Sequence, residues 1–238
     1  VKEFVLLGPD HVITLLLVAV ASILAFAAAR SRWAGTLNAL GGGLFGLLAV
    51  GLWLLRLENG FQPAEDLPLW LCDIAFLLCL GCFVRPNETM LILVAYWGLA
   101  GTLQAMLTPD LLYAFPSRQF LLFFIGHSII VVGVFFLLGR SRPARLPTRY
   151  GVAVAFAGLL IYTALVGTLD ALFGWNYGYL CRKPQGASIL DGLGDWPGYI
   201  GAALVVALVL FTAVAGLLRV LWNFSPGERS GHRTEGSR

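Results

Sequence analysis

Seven apolar stretches, 11–29, 36–55, 67–84, 89–107, 120–138, 152–172 and 198–221, set the limits on what this chain can fold into. A helix needs about 20 apolar residues to cross a hydrocarbon core of roughly 30 Å, so each stretch is read as a membrane crossing. The third is the shortest and carries an acid, Asp73. Prolines fall in the joints or at helix starts, where a missing N–H costs little. Only 12% of the 238 residues are charged and 58% are hydrophobic, which excludes a water-soluble globular domain and a disordered chain. The net charge of +3 is too weak and scattered for a nucleic-acid binder. The expectation is an all-α, polytopic membrane bundle of seven transmembrane helices forming one domain over 1–222. The polar tail, 223–238, is expected to be disordered and cytoplasmic. The first stretch is expected to be a retained helix and not a cleaved signal.

Orientation follows from loop Lys and Arg. With the N-terminus outside, eleven cations, among them Arg140, Arg142, Arg145 and Arg149, face the cytoplasm, and five, Lys2, Arg56, Arg118, Arg182 and Lys183, face out. This favours N-out/C-in, in a cell membrane and, from the Arg-rich usage, a bacterial inner membrane. Helix 2 carries Gly42-x-x-x-Gly46, which suits either a close helix–helix approach or a lipid-accessible groove. Aromatic residues near helix ends, including Trp33, Trp70, Tyr150 and Trp222, read as interfacial anchors.

Ionisable groups inside a membrane are costly and are usually functional or paired. At 1.5 Å per residue, Cys72 and Asp73 lie about 8–9 Å below the outer end of helix 3 and His127 about 10 Å below that of helix 5. Gln104 lies about 5 Å and Asp170 about 3 Å from the outer ends of helices 4 and 6. The following loop adds Asn176, Tyr177, Tyr179, Arg182 and Lys183 from above. The inner half offers only Asn38, Cys79, Cys82 and Tyr96. A one-sided polar cluster points to a site open to the outer leaflet or the outer water.

Each member has a bland reading beside the functional one. His127 is either a core histidine bonded to a carbonyl or a base. Cys72 is either a small hydrophobe or, opposite a histidine, a nucleophile. Asp73 is either a structural acid or a group that orients His127 or binds Arg182. Cys79 and Cys82 form a C-x-x-C on an apolar helix, where packing outweighs redox chemistry. Cys181 could pair with Cys72 in an oxidising compartment, though a free Cys72 is favoured. Arg182 and Lys183 either hold a phosphate or belong to a solvated turn. No spacing suggests a metal site, and no cofactor motif is present.

The segments Leu67-Pro-Leu-Trp-Leu-Cys-Asp-Ile74, Trp97 to Asp110, Phe124-Ile-Gly-His127 and Asn176-Tyr-Gly-Tyr-Leu-Cys-Arg-Lys-Pro184 resemble the bacterial YwaF-type integral membrane proteins. These are in turn similar to the transmembrane protein 164 family of animals. The resemblance covers roughly helix 2 to the start of helix 7. It implies an acyltransferase acting on phospholipids, with Cys72 and His127 in the catalytic positions. A more distant likeness runs to the androgen-induced fatty-acid-ester hydrolases.

The combined reading is a lipid acyltransferase with Cys72 as nucleophile and His127 as base. Asp73 is the orienting third member, and Gln104, Asp170, Asn176, Tyr179, Arg182 and Lys183 are substrate-binding candidates. Membrane phospholipids are the expected partners; nucleic acid, metal and cofactors are not expected, and the oligomeric state is left open. An acyl-ester hydrolase with the same site is one alternative, and a non-enzymatic lipid- or solute-binding protein or transporter is another.

Overall fold

The computed structural model describes residues 2–58, 60–141, 143–184 and 188–223. The tail expectation concerns residues that lie, apart from Asn223, outside these. The described chain is helical, with one isolated β-bridge between Glu3 and Tyr113. The long helices are α1 (Pro9–Ala28), α2 (Ala34–Glu58), α5 (Glu88–Tyr96) continuing through a π-helical turn into α6 (Leu103–Leu107), α7 (Arg118–Arg140), α8 (Arg149–Phe173) and α9 (Gly198–Asn223). Two shorter helices, α3 (Pro63–Asp66) and α4 (Leu71–Val84), lie between α2 and α5. Six helices are long and apolar enough to cross a membrane, counting 88–107 as one.

Helix α4 departs from the sequence reading. It has 14 residues, about 21 Å of helix, and starts at Leu71 and not at Leu67. The cause is local. Leu67 precedes Pro68, which disfavours helical backbone at that position, and Leu67 and Trp70 are extended (ψ 144° and 142°). Cys72 and Asp73 therefore sit in the first turn of a helix. They are not about 8–9 Å below its end.

Burial is concentrated on the helix pair at the centre. In the apolar window of 88–107, 56% of residues are buried, against 6% in that of α2. Helix α2 turns Leu40, Leu44, Leu47, Val50 and Leu54 outward. A soluble protein rarely exposes such a stripe, but it is the surface a lipid-facing helix requires. The core gathers Phe45, Phe76, Cys79, Cys82, Phe83, Tyr96, Val134 and Phe211. Cys79 and Cys82 are both fully packed there, as the bland reading has it. The polar groups at this end are satisfied locally. Asn38 Nδ2 donates to the Phe83 carbonyl at 2.8 Å, and the Tyr96 hydroxyl donates to the Leu146 carbonyl at 2.7 Å.

Glycines allow two close crossings. Gly41 lets α2 settle on the Phe83 ring, where a Cβ would stand 2.7 Å from Cε1, whereas a Cβ at Gly42 would make an ordinary 3.4 Å contact with Phe83 Cβ and Gly46 has open space beside it. The close approach on α2 thus belongs to Gly41, outside the Gly42-x-x-x-Gly46 pattern. Helix α1 crosses α7 at Gly139, where a Cβ would stand 2.5 Å from the Phe26 carbonyl oxygen. Gly139→Ala is expected to destabilise the detergent-solubilised protein by about 1–3 kcal/mol. Gly46→Ala should leave the thermal midpoint unchanged or slightly raised; equal midpoints for the two variants would contradict this packing.

Candidate active site

The site is built on the break before α4. Four non-helical residues, 67–70, leave backbone groups that apolar surroundings cannot satisfy. Side chains from α8 and from the loop after it supply partners. The Tyr162 hydroxyl donates to the Leu69 carbonyl at 2.9 Å. The Tyr177 hydroxyl donates to the Pro63 carbonyl at 2.6 Å and accepts the Leu67 N–H at 3.0 Å. Burial raises the Tyr177 phenol above its ordinary value, so it stays protonated and able to donate. Trp70 packs edge-on against both Tyr177 and Tyr179.

The loop itself is shaped by Asn176. Its Oδ1 accepts the N–H groups of Cys181 and Arg182, and its Nδ2 donates to the Arg182 carbonyl. Gly178 has φ +62°, and a Cβ there would lie 2.7 Å from the Tyr162 hydroxyl. No larger residue fits.

Two cavities open at this end of the bundle. The larger, about 630 Å³, has polar side chains at Cys72, Gln104, Asp110, His127, Tyr162 and Tyr199 within a mostly apolar wall. The smaller, about 390 Å³, is lined by Arg56, Asp66, Cys72, Asp73, Arg118 and His127 together with apolar residues. Among the described residues, only Cys72 and His127 are common to both walls.

His127 is held by its own helix. Its Nδ1 donates to the Phe123 carbonyl at 2.7 Å, and its ring stacks on Phe123 with centroids 4.1 Å apart. A carbonyl can only accept, so Nδ1 carries the proton. Nε2, the basic nitrogen, has no hydrogen-bond partner among the described residues. The contrast is His11, fully buried, whose Nε2 donates to the Met106 carbonyl while Nδ1 accepts the Leu7 N–H. That is a satisfied core histidine; His127 is half-satisfied and faces open space.

Cys72 is a free thiol, as are Cys79, Cys82 and Cys181, so no Cys72–Cys181 disulfide forms. Cys72 is the second residue of α4 and so lies in its first turn. First-turn N–H groups have no partner within the helix and favour negative charge.

The other sequence candidates divide. Gln104 lines the larger cavity and uses one amide N–H on Thr108 Oγ1 at 2.9 Å, leaving the second. The π-helical turn at Trp97–Thr102 precedes it; such turns recur at functional sites. Tyr179 also lines this cavity. Asp73 neither orients His127 nor binds Arg182. Its Oδ1 lies 3.6 Å from Arg56 Nη2, while the Phe123 carbonyl holds the imidazole. Asp170 is fully buried among the residues that seat the loop and lines neither cavity. Asn176 is a loop organiser. Arg182 is exposed, Lys183 lies over the Tyr199 ring at 5.6 Å, and neither lines a cavity.

Three contributors were hidden. Trp70 looks like an interfacial anchor but caps α4 and lines the larger cavity. Tyr162 carries no signal in an apolar stretch. Arg56 reads only as a charge at a helix end, though its distance from an intramembrane acid could have suggested a pair.

Six long apolar helices with lipid-facing surfaces, enclosing a two-chambered site at one end, define a multi-pass membrane protein. The chain matches the TMEM164 family over residues 6–215 and belongs to that family. No curated protein and no solved structure that was compared matches it.

Tyr177→Phe leaves the Leu67 N–H and the Pro63 carbonyl without their partner. The expected loss is about 1–3 kcal/mol of stability, with faster hydrogen exchange confined to residues 64–74. Unchanged exchange there would contradict the clamp.

Proposed function

We propose that the protein is a membrane-embedded lipid acyltransferase in which Cys72 is the nucleophile and His127 the base. The observation that carries this reading is the shared wall: one thiol and one imidazole with an unoccupied basic nitrogen border the same two cavities. In this reading the chain crosses the membrane seven times, with α4 as a short crossing, and is oriented N-out, so the site opens toward the outer leaflet of a bacterial inner membrane.

An acyl chain of a phospholipid occupies the larger cavity, among Leu71, Leu159, Leu204 and Ala207. His127 Nε2 takes the thiol proton, and the backbone amides of Cys72 and Asp73 stabilise the thiolate. The sulfur attacks the ester carbonyl, and the free N–H of Gln104 stabilises the developing oxyanion. A C–S bond forms and the C–O bond of the ester breaks. The departing lipid oxygen takes the proton from His127. The hydroxyl of a second lipid then gives its proton to His127 and attacks the thioester. A new C–O bond forms, the C–S bond breaks, and the proton returns to sulfur. The Phe123 carbonyl, holding Nδ1–H, fixes the tautomer that this cycle needs.

With a phospholipid carrying a labelled acyl chain, the purified full-length protein should yield a labelled second lipid. Cys72→Ala and His127→Ala should each lower that rate by at least about 10²-fold. Mass spectrometry should find acyl mass on Cys72 of the unaltered protein. Full transfer by Cys72→Ala would refute the proposal. Release of free fatty acid alone would make the protein a hydrolase. Solute uptake that survives Cys72→Ser, with no adduct, would make it a transporter.

A further inference from the structure

The smaller cavity has no part in the thiol chemistry beyond the wall it shares. Its other walls come from the last turns of α2, from Asp66 and Asp73 around the α4 start, and from the first turns of α7. Two guanidinium groups reach it. Arg56 gives Nη1 to the Asp66 carbonyl at 2.8 Å and sets Nη2 3.6 Å from Asp73 Oδ1. That separation is well beyond a charge-assisted hydrogen bond of about 2.7–2.9 Å, so Arg56 keeps donors to spare. Asp66 turns its carboxylate to the Gln62 N–H at 2.7 Å. Arg118, the first residue of α7, is exposed at the mouth of this cavity, and its guanidinium has no hydrogen bond or ion pair among the described residues. The cavity is therefore lined by one exposed arginine without a protein partner among the described residues and one partly committed, across the Cys72–His127 wall from an apolar chamber.

A guanidinium fork matches a phosphate oxygen pair. A lipid with its acyl chain in the larger chamber and its ester carbonyl at Cys72 carries its glycerol past the wall and its phosphate into the smaller one. We propose that Arg118, assisted by Arg56, binds the phosphate of a glycerophospholipid, which makes the smaller cavity the head-group site. This rests on the acyl-transfer reading for which lipid bond lies at Cys72, but not for the binding itself. It also moves phosphate recognition away from Arg182 and Lys183, which line neither chamber.

The test uses the full chain in detergent on a Cys72→Ala background, where no turnover occurs. Dihexanoylphosphatidylcholine, dihexanoylglycerol and inorganic phosphate are titrated separately by calorimetry. The phospholipid should bind at least about tenfold more tightly than the diacylglycerol, as one charged hydrogen bond allows. Arg118→Gln should abolish that preference and leave dihexanoylglycerol binding unchanged. Arg118→Lys should retain part of it, and Lys183→Gln should retain all of it. A preference that survives Arg118→Gln, or equal loss for both lipids, would overturn the proposal. Inorganic phosphate binding as tightly as the phospholipid would overturn the lipid as its source. Because this background has no nucleophile, the outcome is separate from the fate of the acyl-transfer reading, which fails instead by a missing adduct on the unaltered protein.

Discussion

The structure depends on how a broken backbone survives in apolar surroundings. Residues 67–70 separate α3 from α4 in a non-helical stretch, and each N–H or carbonyl there that is shielded from water needs a partner that apolar side chains cannot offer. The Tyr177 hydroxyl takes the Leu67 N–H and the Tyr162 hydroxyl meets the Leu69 carbonyl, while the Leu67 and Trp70 carbonyls accept the N–H groups of Leu69 and Ile74. Once the break is held, α4 can begin at Leu71, and a helix start falls beside a cavity with Cys72 in its first turn. The loop after α8 exists in its observed form to keep that break closed: Asn176 gathers it, Gly178 gives it the positive φ, and Tyr177 delivers the clamp.

The two ends of the bundle illustrate opposite uses of polarity. At one end Asn38 and Tyr96 each meet a backbone carbonyl, and Cys79 and Cys82 are sealed in the core. At the other, among the described residues, His127 shows a bare Nε2 and Gln104 keeps an unused N–H. Satisfied polar groups stabilise a fold. Unsatisfied ones facing a cavity cost stability, and binding a ligand recovers it.

Much of this was legible from hydropathy. Six of the seven expected spans follow from runs of apolar residues, and the one-sided cluster came from counting residues along helices taken to alternate in direction. Cys72, His127 and Gln104 were placed together in that way and Tyr179 from the following loop, and all four line one cavity. What failed did so for a reason. Depth measured from Leu67 assumed helix through Pro68. Asp73 was given to His127 because spacing along one helix says nothing of the neighbour across it, and the neighbour is Arg56. Asp170 and Asn176 belong to the right region, but a side chain that organises a loop and one that binds a ligand have the same signature in sequence. Tyr162 and Trp70 were invisible because aromatic residues in an apolar run carry no sign of which hydroxyl or ring will face a break.

The central claim is that His127 acts on Cys72. The most direct measurement is the rate at which N-ethylmaleimide modifies Cys72 at neutral pH, followed by peptide mass spectrometry, in the unaltered protein and in His127→Ala. If the imidazole takes the thiol proton, the variant should react at least about tenfold more slowly at Cys72, while Cys181 reacts at the same rate in both. Equal rates at Cys72 would contradict the account.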